Sequence, residues 1–382
     1  MVAERGFDVD APLALAADPV AQWLDWEERA NLIGFRTSTH PVAVEVASIP
    51  RSAVEVHVLP HAPAECVELF LRGDRVMWAR HPLNQDRSVA WFDAPVAELW
   101  DARFTSSRTL ALPGPESGHH LVSLKLATDH PHPDFHQPEK TQLRQEAQDA
   151  IRWMQVLARI DGLIGPLEAP LLVREFLVVL VRGGESGFMV RDLALFQDGH
   201  HYLPVLSLPW VGRQIARRHG QPFEQFWGRH FAAELGRAKA RLLARYGLWY
   251  ETPNPQNVLI QLDPELRPTG RLVFRDLGDG ECATDALVCT DVPWSRFTGE
   301  LRPETANSFW AFDESGDHSV ERATLLGWHA EHDRAYAAEL ARWFPALDAP
   351  AGRDPARWLA HWNDALRGPA APAAIAAAFA QA

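Results

Sequence analysis

The 382 residues predict an α+β fold, and three stretches carry that expectation. Two runs rich in β-formers, VLIQLD (Val258 to Asp263) and RLVFRDL (Arg271 to Leu277), are split by Pro264, Pro268 and Gly270, which is the signature of a hairpin. A second pair, TSSRTLAL and HLVSLKLA, is joined by a Pro/Gly loop. Between the two hairpins runs an amphipathic helix from Pro222 to Tyr246, with Phe223, Phe226, Trp227, Phe231, Leu235, Leu242 and Leu243 on its apolar stripe. Apolar content of 47%, with 15 Trp and 18 Phe, provides enough material to bury these elements in a core. At roughly 150 residues per domain, the length allows one large core or two to three smaller ones.

In chain order, Asp18-Pro19 opens the helical segment AQWLDWEERANLIGF, with Trp23, Trp26 and Leu32 near one face. From Ala53 the pattern turns to β: VEVHVLP, then VELFLR and RVMWAR about a Gly73-Asp74 turn. VAWF and a short helix PVAELW follow, so residues 1–103 are expected to form a β-rich N-terminal lobe with a leading helix. Residues 104–290 are expected to form the central core. It holds both hairpins, a helix from Arg144 to Ile160, and the apolar strands of APLLVREFLVVLVRGG and GFMVRDLALF. Residues 291–382 are expected to form a C-terminal helical region: two helices between about 318 and 366, then an alanine-rich tail.

Composition excludes several classes. A formal charge of −13 is unsuited to nucleic acid or an anionic membrane, since both are bound through a basic face, so neither is expected as a partner. No apolar run approaches the roughly 20 residues needed to span a bilayer. Asp8, Asp10 and Asp18 interrupt any secretory signal, so the cytoplasm is the expected location. Cys66, Cys282 and Cys289 give neither a disulfide framework nor a zinc spacing, and His40, His57 and His61 match no metal-ligand pattern. No Ser/His/Asp arrangement is evident.

Two clusters bear chemistry. In HLVSLKLA, Val122, Leu124 and Leu126 fall on one face of the strand, and Ser123 and Lys125 on the other. Arg108 lies across the loop from them, flanked by Ser106, Ser107 and Thr109. Arg as a bidentate partner and Lys as a point charge suit a phosphate, and a solvated strand face is the alternative. At the other hairpin, antiparallel pairing brings Asn254, Gln256 and Asn257 to the end that carries Arg275, Asp276, Asp279 and Glu281. Such oxygen donors suit Mg²⁺ shared with phosphate, and an ordinary structural turn is the alternative. Lys125 and Asp276 are expected at a cleft rather than in the core. Arg191, inside an apolar strand, is a secondary candidate for substrate or phosphate contact, with a structural ion pair as its alternative.

The order SSRT, LKL, QN, RDLGDG over Phe104 to Gly280 resembles the IucA/IucC-like NRPS-independent siderophore synthetases. That resemblance implies a palm-and-fingers architecture with β-hairpins forming a nucleotide cleft and helices packed behind. It implies ATP and Mg²⁺ as cofactors, and an ATP-dependent ligase that forms an acyl-adenylate for capture by an amine or hydroxyl. The implied partners are therefore a small-molecule carboxylate and the acceptor, with a homodimer allowed. Residue by residue, it assigns Arg108, Lys125, Asn254 and Gln256 to catalysis, and Ser106, Ser107, Arg108, Thr109, Lys125, Asn257, Arg275 and Asp276 to the nucleotide, with Asn257 and Asp276 on the metal. The chain departs from the family pattern at Asn254, where the family has histidine, and at Thr252, where it has glutamate, with Glu251 one place off. The family's H-P-x-H-K motif is absent. Two other readings stay open: a kinase-like phosphotransferase, since Asn257 precedes Asp276-Leu277-Gly278 much as a catalytic-loop Asn precedes a metal-binding D-F-G, and a non-catalytic relative that binds a nucleotide or a partner.

Overall fold

The computed structural model describes residues 13–16, 18–31, 42–82, 94–106, 108–112, 121–127, 143–164, 166–250, 254–282, 309, 312 and 320–343. The chain begins with α1 (Pro19–Asn31), β1 (Val42–Pro50), β2 (Val54–Val58), α2 (Ala64–Phe70), β3 (Leu71–Arg72) and β4 (Arg75–Ala79). It continues with β5 (Val96–Phe104), β6 (Thr109–Leu112), β7 (Val122–Leu126), α3 (Arg144–Ile164), β8 (Leu171–Leu172), β9 (Glu175–Val181) and β10 (Gly187–Asp192). After β11 (His201–Pro204) come α4 (Arg213–Arg218), α5 (Phe223–Trp227), α6 (Ala233–Tyr246), β12 (Leu248–Trp249), β13 (Val258–Leu262), β14 (Pro268–Phe274), β15 (Glu281–Cys282) and α7 (Arg322–Trp343). Two units emerge, one of residues 15–154 and 173–202, the other of 1–14, 155–172 and 203–382.

The first unit is built on a nine-stranded sheet in the order β2-β9-β10-β7-β6-β5-β1-β4-β3. Between β1 and β2 there is only the single helical turn Arg51–Ala53, yet five strands separate them in the sheet. In a flat sheet six spacings of about 4.8 Å would put them about 29 Å apart. Four residues of extended chain reach about 14 Å at most. The sheet therefore curls strongly, and its concave side encloses Phe70, Trp78, Phe104, Phe176 and Phe188 in one apolar cluster. Phe188 is central, with Phe70 at 5.8 Å and Trp78 at 5.5 Å between ring centroids. The leading helix α1 is fixed by Trp23 stacked on Phe196 at 4.2 Å and by Glu28, which accepts two hydrogen bonds from Arg103 at 2.9 and 2.5 Å.

Two segments fold otherwise than their sequences predict. VELF belongs to α2, not to a strand, because Cys66 and Phe70 are buried four residues apart on one helical face, after Pro63 has set the extended residue preceding the helix. Only Leu71–Arg72 pairs with β4 across the expected Gly73 turn. PVAELW is not helical: β5 pairs with β1 along Val42↔Ala102 to Val46↔Glu98. In β5 Glu98, Trp100, Ala102 and Phe104 are more covered than Ala97, Leu99, Asp101 and Arg103, a period of two that long-range pairing imposes on a helix-compatible sequence.

In the second unit, β13 and β14 form the expected antiparallel hairpin, with Val258↔Phe274 and Leu259↔Val273 in register. They lie within the order β11-β13-β14-β8, and β8 runs parallel to β14. The expected helix from Pro222 to Tyr246 is realised as α5 and α6 joined through one π-helical segment, Gly228–Ala232, and is stopped by Gly247 at φ +64. The glycine caps the helix in the left-handed conformation, where its N–H reaches the Leu243 carbonyl at 3.0 Å. Helix α7 lies against α6 so closely that a Cβ on Gly236 would stand 2.3 Å from the His332 carbonyl oxygen. Phe223, Phe231, Phe309 and Trp328 fill the adjoining core, with centroid separations from the Trp328 ring of 5.6, 5.9 and 5.8 Å. Of the helices expected between about 318 and 366, α7 is described; the second and the alanine-rich tail lie outside the described residues.

Candidate functional site

The cationic cluster is assembled in the first unit by the β6–β7 pairing. Thr109 faces Lys125 and Ala111 faces Ser123 in register, and the Arg108 carbonyl accepts from Leu126 N–H at 2.9 Å. The turn ahead of β6 is closed by backbone bonds from Thr105 and Ser106 N–H to the Thr109 carbonyl, 2.9 and 3.2 Å, which fixes the direction in which Arg108 leaves the strand. Arg108, Thr109 and Lys125 thus share one end of one hairpin, with Arg108 near Lys125 as counting across the loop predicts. Ser107 lies outside the described residues.

The environment of the pair differs from the expected open cleft. All five residues of β7 are buried, and Arg108 and Lys125 are only 7% and 4% exposed. Two buried cations need a counter-charge, and the first turn of α3 supplies it. Glu146 accepts from Arg108 Nη2 with both carboxylate oxygens at 3.1 Å and pairs with Lys125 Nζ at 2.8 Å. Arg108 Nη1 is buried and has no hydrogen-bond partner among the described residues. A buried guanidinium nitrogen without an acceptor is costly, and a further anionic oxygen at that nitrogen would remove the cost.

The turn carrying Glu146 is held from behind. Arg144 donates to Glu55 at 2.9 and 3.0 Å, to the Val181 carbonyl at 2.8 Å and to the Gly184 carbonyl at 2.6 Å. Leu143 and Arg144 N–H both bond the Glu185 carbonyl, at 2.9 and 3.1 Å. Hydrogen bonding from Arg144 holds the Glu55 carboxyl below its ordinary range. Arg191, the secondary candidate, pairs with buried Glu175 at 2.9 Å. It is a structural ion pair that joins β10 to β9.

In the second unit the polar loop meets the end of its hairpin as the pairing predicts. Asn254 caps the turn Pro255–Asn257 by accepting from Gln256 N–H at 3.0 Å, and Asn257 N–H bonds the Asn254 carbonyl at 2.6 Å. Arg275 N–H bonds the Asn257 carbonyl at 3.0 Å, and its guanidinium reaches the Gln256 carbonyl at 2.5 Å. These two bonds from Arg275 fix the positions of Gln256 and Asn257. Asp276 adopts the left-handed conformation at φ +61, sparsely populated by residues other than glycine. Tyr250 clamps it there, donating to the carbonyls of Arg275 and Asp276 at 3.2 Å each. Glu251 and Thr252 lie outside the described residues, as do the side chains of Asp279 and Glu281. Among the described residues no group of three His, Cys, Asp or Glu side chains is placed to hold a metal. The two side chains that the resemblance assigns to a metal, the Asn257 amide and the Asp276 carboxylate, are oxygen donors of the kind Mg²⁺ takes beside water and phosphate.

Glu146 and Tyr250 are the residues that sequence reading misses. Nothing in the spacing ties a glutamate in a helix to Lys125, and Tyr250 reads as the apolar end of LWY.

No protein-family model matches the chain, and no curated protein sequence matches it. The fold does match solved structures. Aerobactin synthetase IucC from a hypervirulent pathotype of Klebsiella pneumoniae aligns with a TM-score of 0.53 and 14% identity, over 83% of this chain and 65% of that one. Petrobactin biosynthesis protein AsbB from Bacillus anthracis str. Sterne aligns with a TM-score of 0.52 and 13% identity, over 87% of this chain and 65% of that one. The chain thus spans just under two thirds of the length of either structure, and at these identities the likeness is one of fold.

Proposed function

We propose that this chain is an ATP-dependent ligase that activates a small-molecule carboxylate as its acyl-adenylate and passes it to an amine or hydroxyl, in the manner of siderophore synthetases. The observation that carries the proposal is the buried Arg108–Lys125 pair, which grips a carboxylate and keeps one guanidinium nitrogen without an acceptor among the described residues. The likeness of fold to aerobactin synthetase IucC supports it. In this reading Arg108 and Lys125 neutralise charge on the phosphates, the electrostatic contribution that usually dominates such chemistry. Ser106, Ser107 and Thr109 offer hydroxyls to phosphate oxygens. Asn257 and Asp276 would hold Mg²⁺, which when bound would supply charge withdrawal from phosphate oxygens. Asn254 and Gln256 orient the carboxylate, and Arg275 keeps their loop in place. An amine is nucleophilic enough to attack an adenylate without a general base, and none is assigned.

Thermal melting of the full chain with and without MgATP tests the reading. Ligand at 100 times its Kd adds about 2.7 kcal/mol to stability, so millimolar MgATP is expected to raise Tm by several degrees, and Arg108→Ala to abolish the rise. A melting curve unmoved by MgATP removes the nucleotide from the proposal.

A further inference from the structure

The two cations lie deeper than the carboxylate that pairs with them. Side-chain exposure is 9% for Arg108 and 6% for Lys125, against 24% for Glu146. An anion that reaches the pair from solvent meets Glu146 first. It meets a like charge, and two unit charges 4 Å apart repel by roughly 1 kcal/mol in water and about 4 kcal/mol at an effective dielectric of 20. Glu146 is also more than a passive counter-ion in its geometry. It presents two oxygens to one guanidinium nitrogen and one of them to an ammonium, as a phosphate does. The orphaned Arg108 Nη1 marks where the stand-in falls short, because a carboxylate has two acceptor oxygens and a phosphate group has three. The backbone beneath Glu146 is pinned by Arg144 on Glu55 and by the Glu185 carbonyl. Any release of the pair is thus a rotation of the Glu146 side chain about its own three torsions, not a movement of α3.

We propose that Glu146 is a built-in substitute for a polyphosphate: it occupies the Arg108–Lys125 pair in the unliganded chain and must swing out before the ligand binds, so that its charge sets the affinity of the site. This rests on the nucleotide reading above, and the test keeps the two apart. Binding of inorganic tripolyphosphate and of MgATP to the full chain is measured by titration calorimetry for the wild type, Glu146→Gln, Glu146→Asp and Arg108→Ala/Glu146→Gln. Glu146→Gln keeps the shape and removes the competing charge. Its Kd for tripolyphosphate is expected to fall at least tenfold. Glu146→Asp, still charged, is expected to stay within about threefold of the wild type, and the double variant is expected to lose the gain.

Glu146→Gln also leaves two buried cations without their carboxylate, so its melting temperature is read in parallel. A variant that melts low and is raised by tripolyphosphate by more degrees than the wild type supports the proposal in the same sense. The proposal is overturned, with the nucleotide reading intact, if the wild type binds and Glu146→Gln binds equally or more weakly, or if Glu146→Gln unfolds and tripolyphosphate does not restore it. Failure of the wild type and every variant to bind either ligand overturns both.

Discussion

Lys125→Ala is the substitution for which the structure changes the expectation most. At a solvated strand face its loss would scarcely touch stability. In the fold Lys125 is 4% exposed and its Nζ lies 2.8 Å from Glu146. Breaking a buried ion pair by removing one partner costs about 3 to 5 kcal/mol, mostly because the other charge is left behind. Glu146 keeps two 3.1 Å hydrogen bonds from Arg108 and is 24% exposed, so part of its charge stays compensated. The expected loss is therefore about 2 to 3 kcal/mol, a fall of roughly 4 to 12 °C in Tm for a unit of this size. Adding Glu146→Ala removes the stranded carboxylate, so the double variant should be more stable than the sum of the single losses by about 1 kcal/mol or more. Melting followed by far-ultraviolet circular dichroism reads the cycle. A Lys125→Ala melt within a degree of the wild type, or strictly additive losses, would refute the ion pair and with it the buried setting of the cationic cluster.

Gly236→Ala should behave contrary to helix propensity: an exposed helix gains up to about 1 kcal/mol from this change. Here the new Cβ would meet the His332 carbonyl at 2.3 Å, so a loss of about 1 to 3 kcal/mol in denaturant titration is expected, and a gain would contradict the α6–α7 contact. The pH dependence has a definite sign at His332. Burial pushes its pKa down from 6.5 to about 4, opposed by the hydrogen bond to Asp333 and reinforced by Lys239 and His329. The unfolded chain then binds more protons between those values. The contribution is full above pH 6.5 and is lost as pH falls towards 4, on the order of 3 kcal/mol in all. His332→Phe should flatten the fall of Tm over that window, and an unchanged slope would mean that other groups set it.

Local patterns carried some of this architecture into view and long-range pairing hid the rest. The β13–β14 hairpin was legible because its strands are runs of β-formers and its turn is written in Pro and Gly, and α6 because its stripe keeps the helical period to the Gly247 stop. The helix in AECVELF and the strand in VAELWDARF were not, since each sequence suits both states and burial decides between them. Sheet order was hidden for the same reason: β2 finds its partner β9 more than a hundred residues away, Val54 opposite Val181. At the cationic cluster, the nearness of Arg108 to Lys125 follows from counting across the loop, whereas Glu146 arrives from a helix whose placement no spacing encodes. The meeting of Asn257 with Arg275 was read from antiparallel pairing. The left-handed turn at Asp276 and its Tyr250 clamp were not, because neither leaves a mark in residue type.

Carboxylate activation through an adenylate is distinguished from phosphoryl transfer and from simple binding by the nucleotide released. The direct measurement is product chromatography after incubation of the full chain with MgATP, a panel of di- and tricarboxylic acids, and hydroxylamine as the trapping amine. The ligase reading predicts AMP and pyrophosphate in equal amounts, dependent on the acid and lost in Arg108→Ala. ADP as the sole nucleotide product, or MgATP that binds and is returned unchanged with every acid, would contradict it.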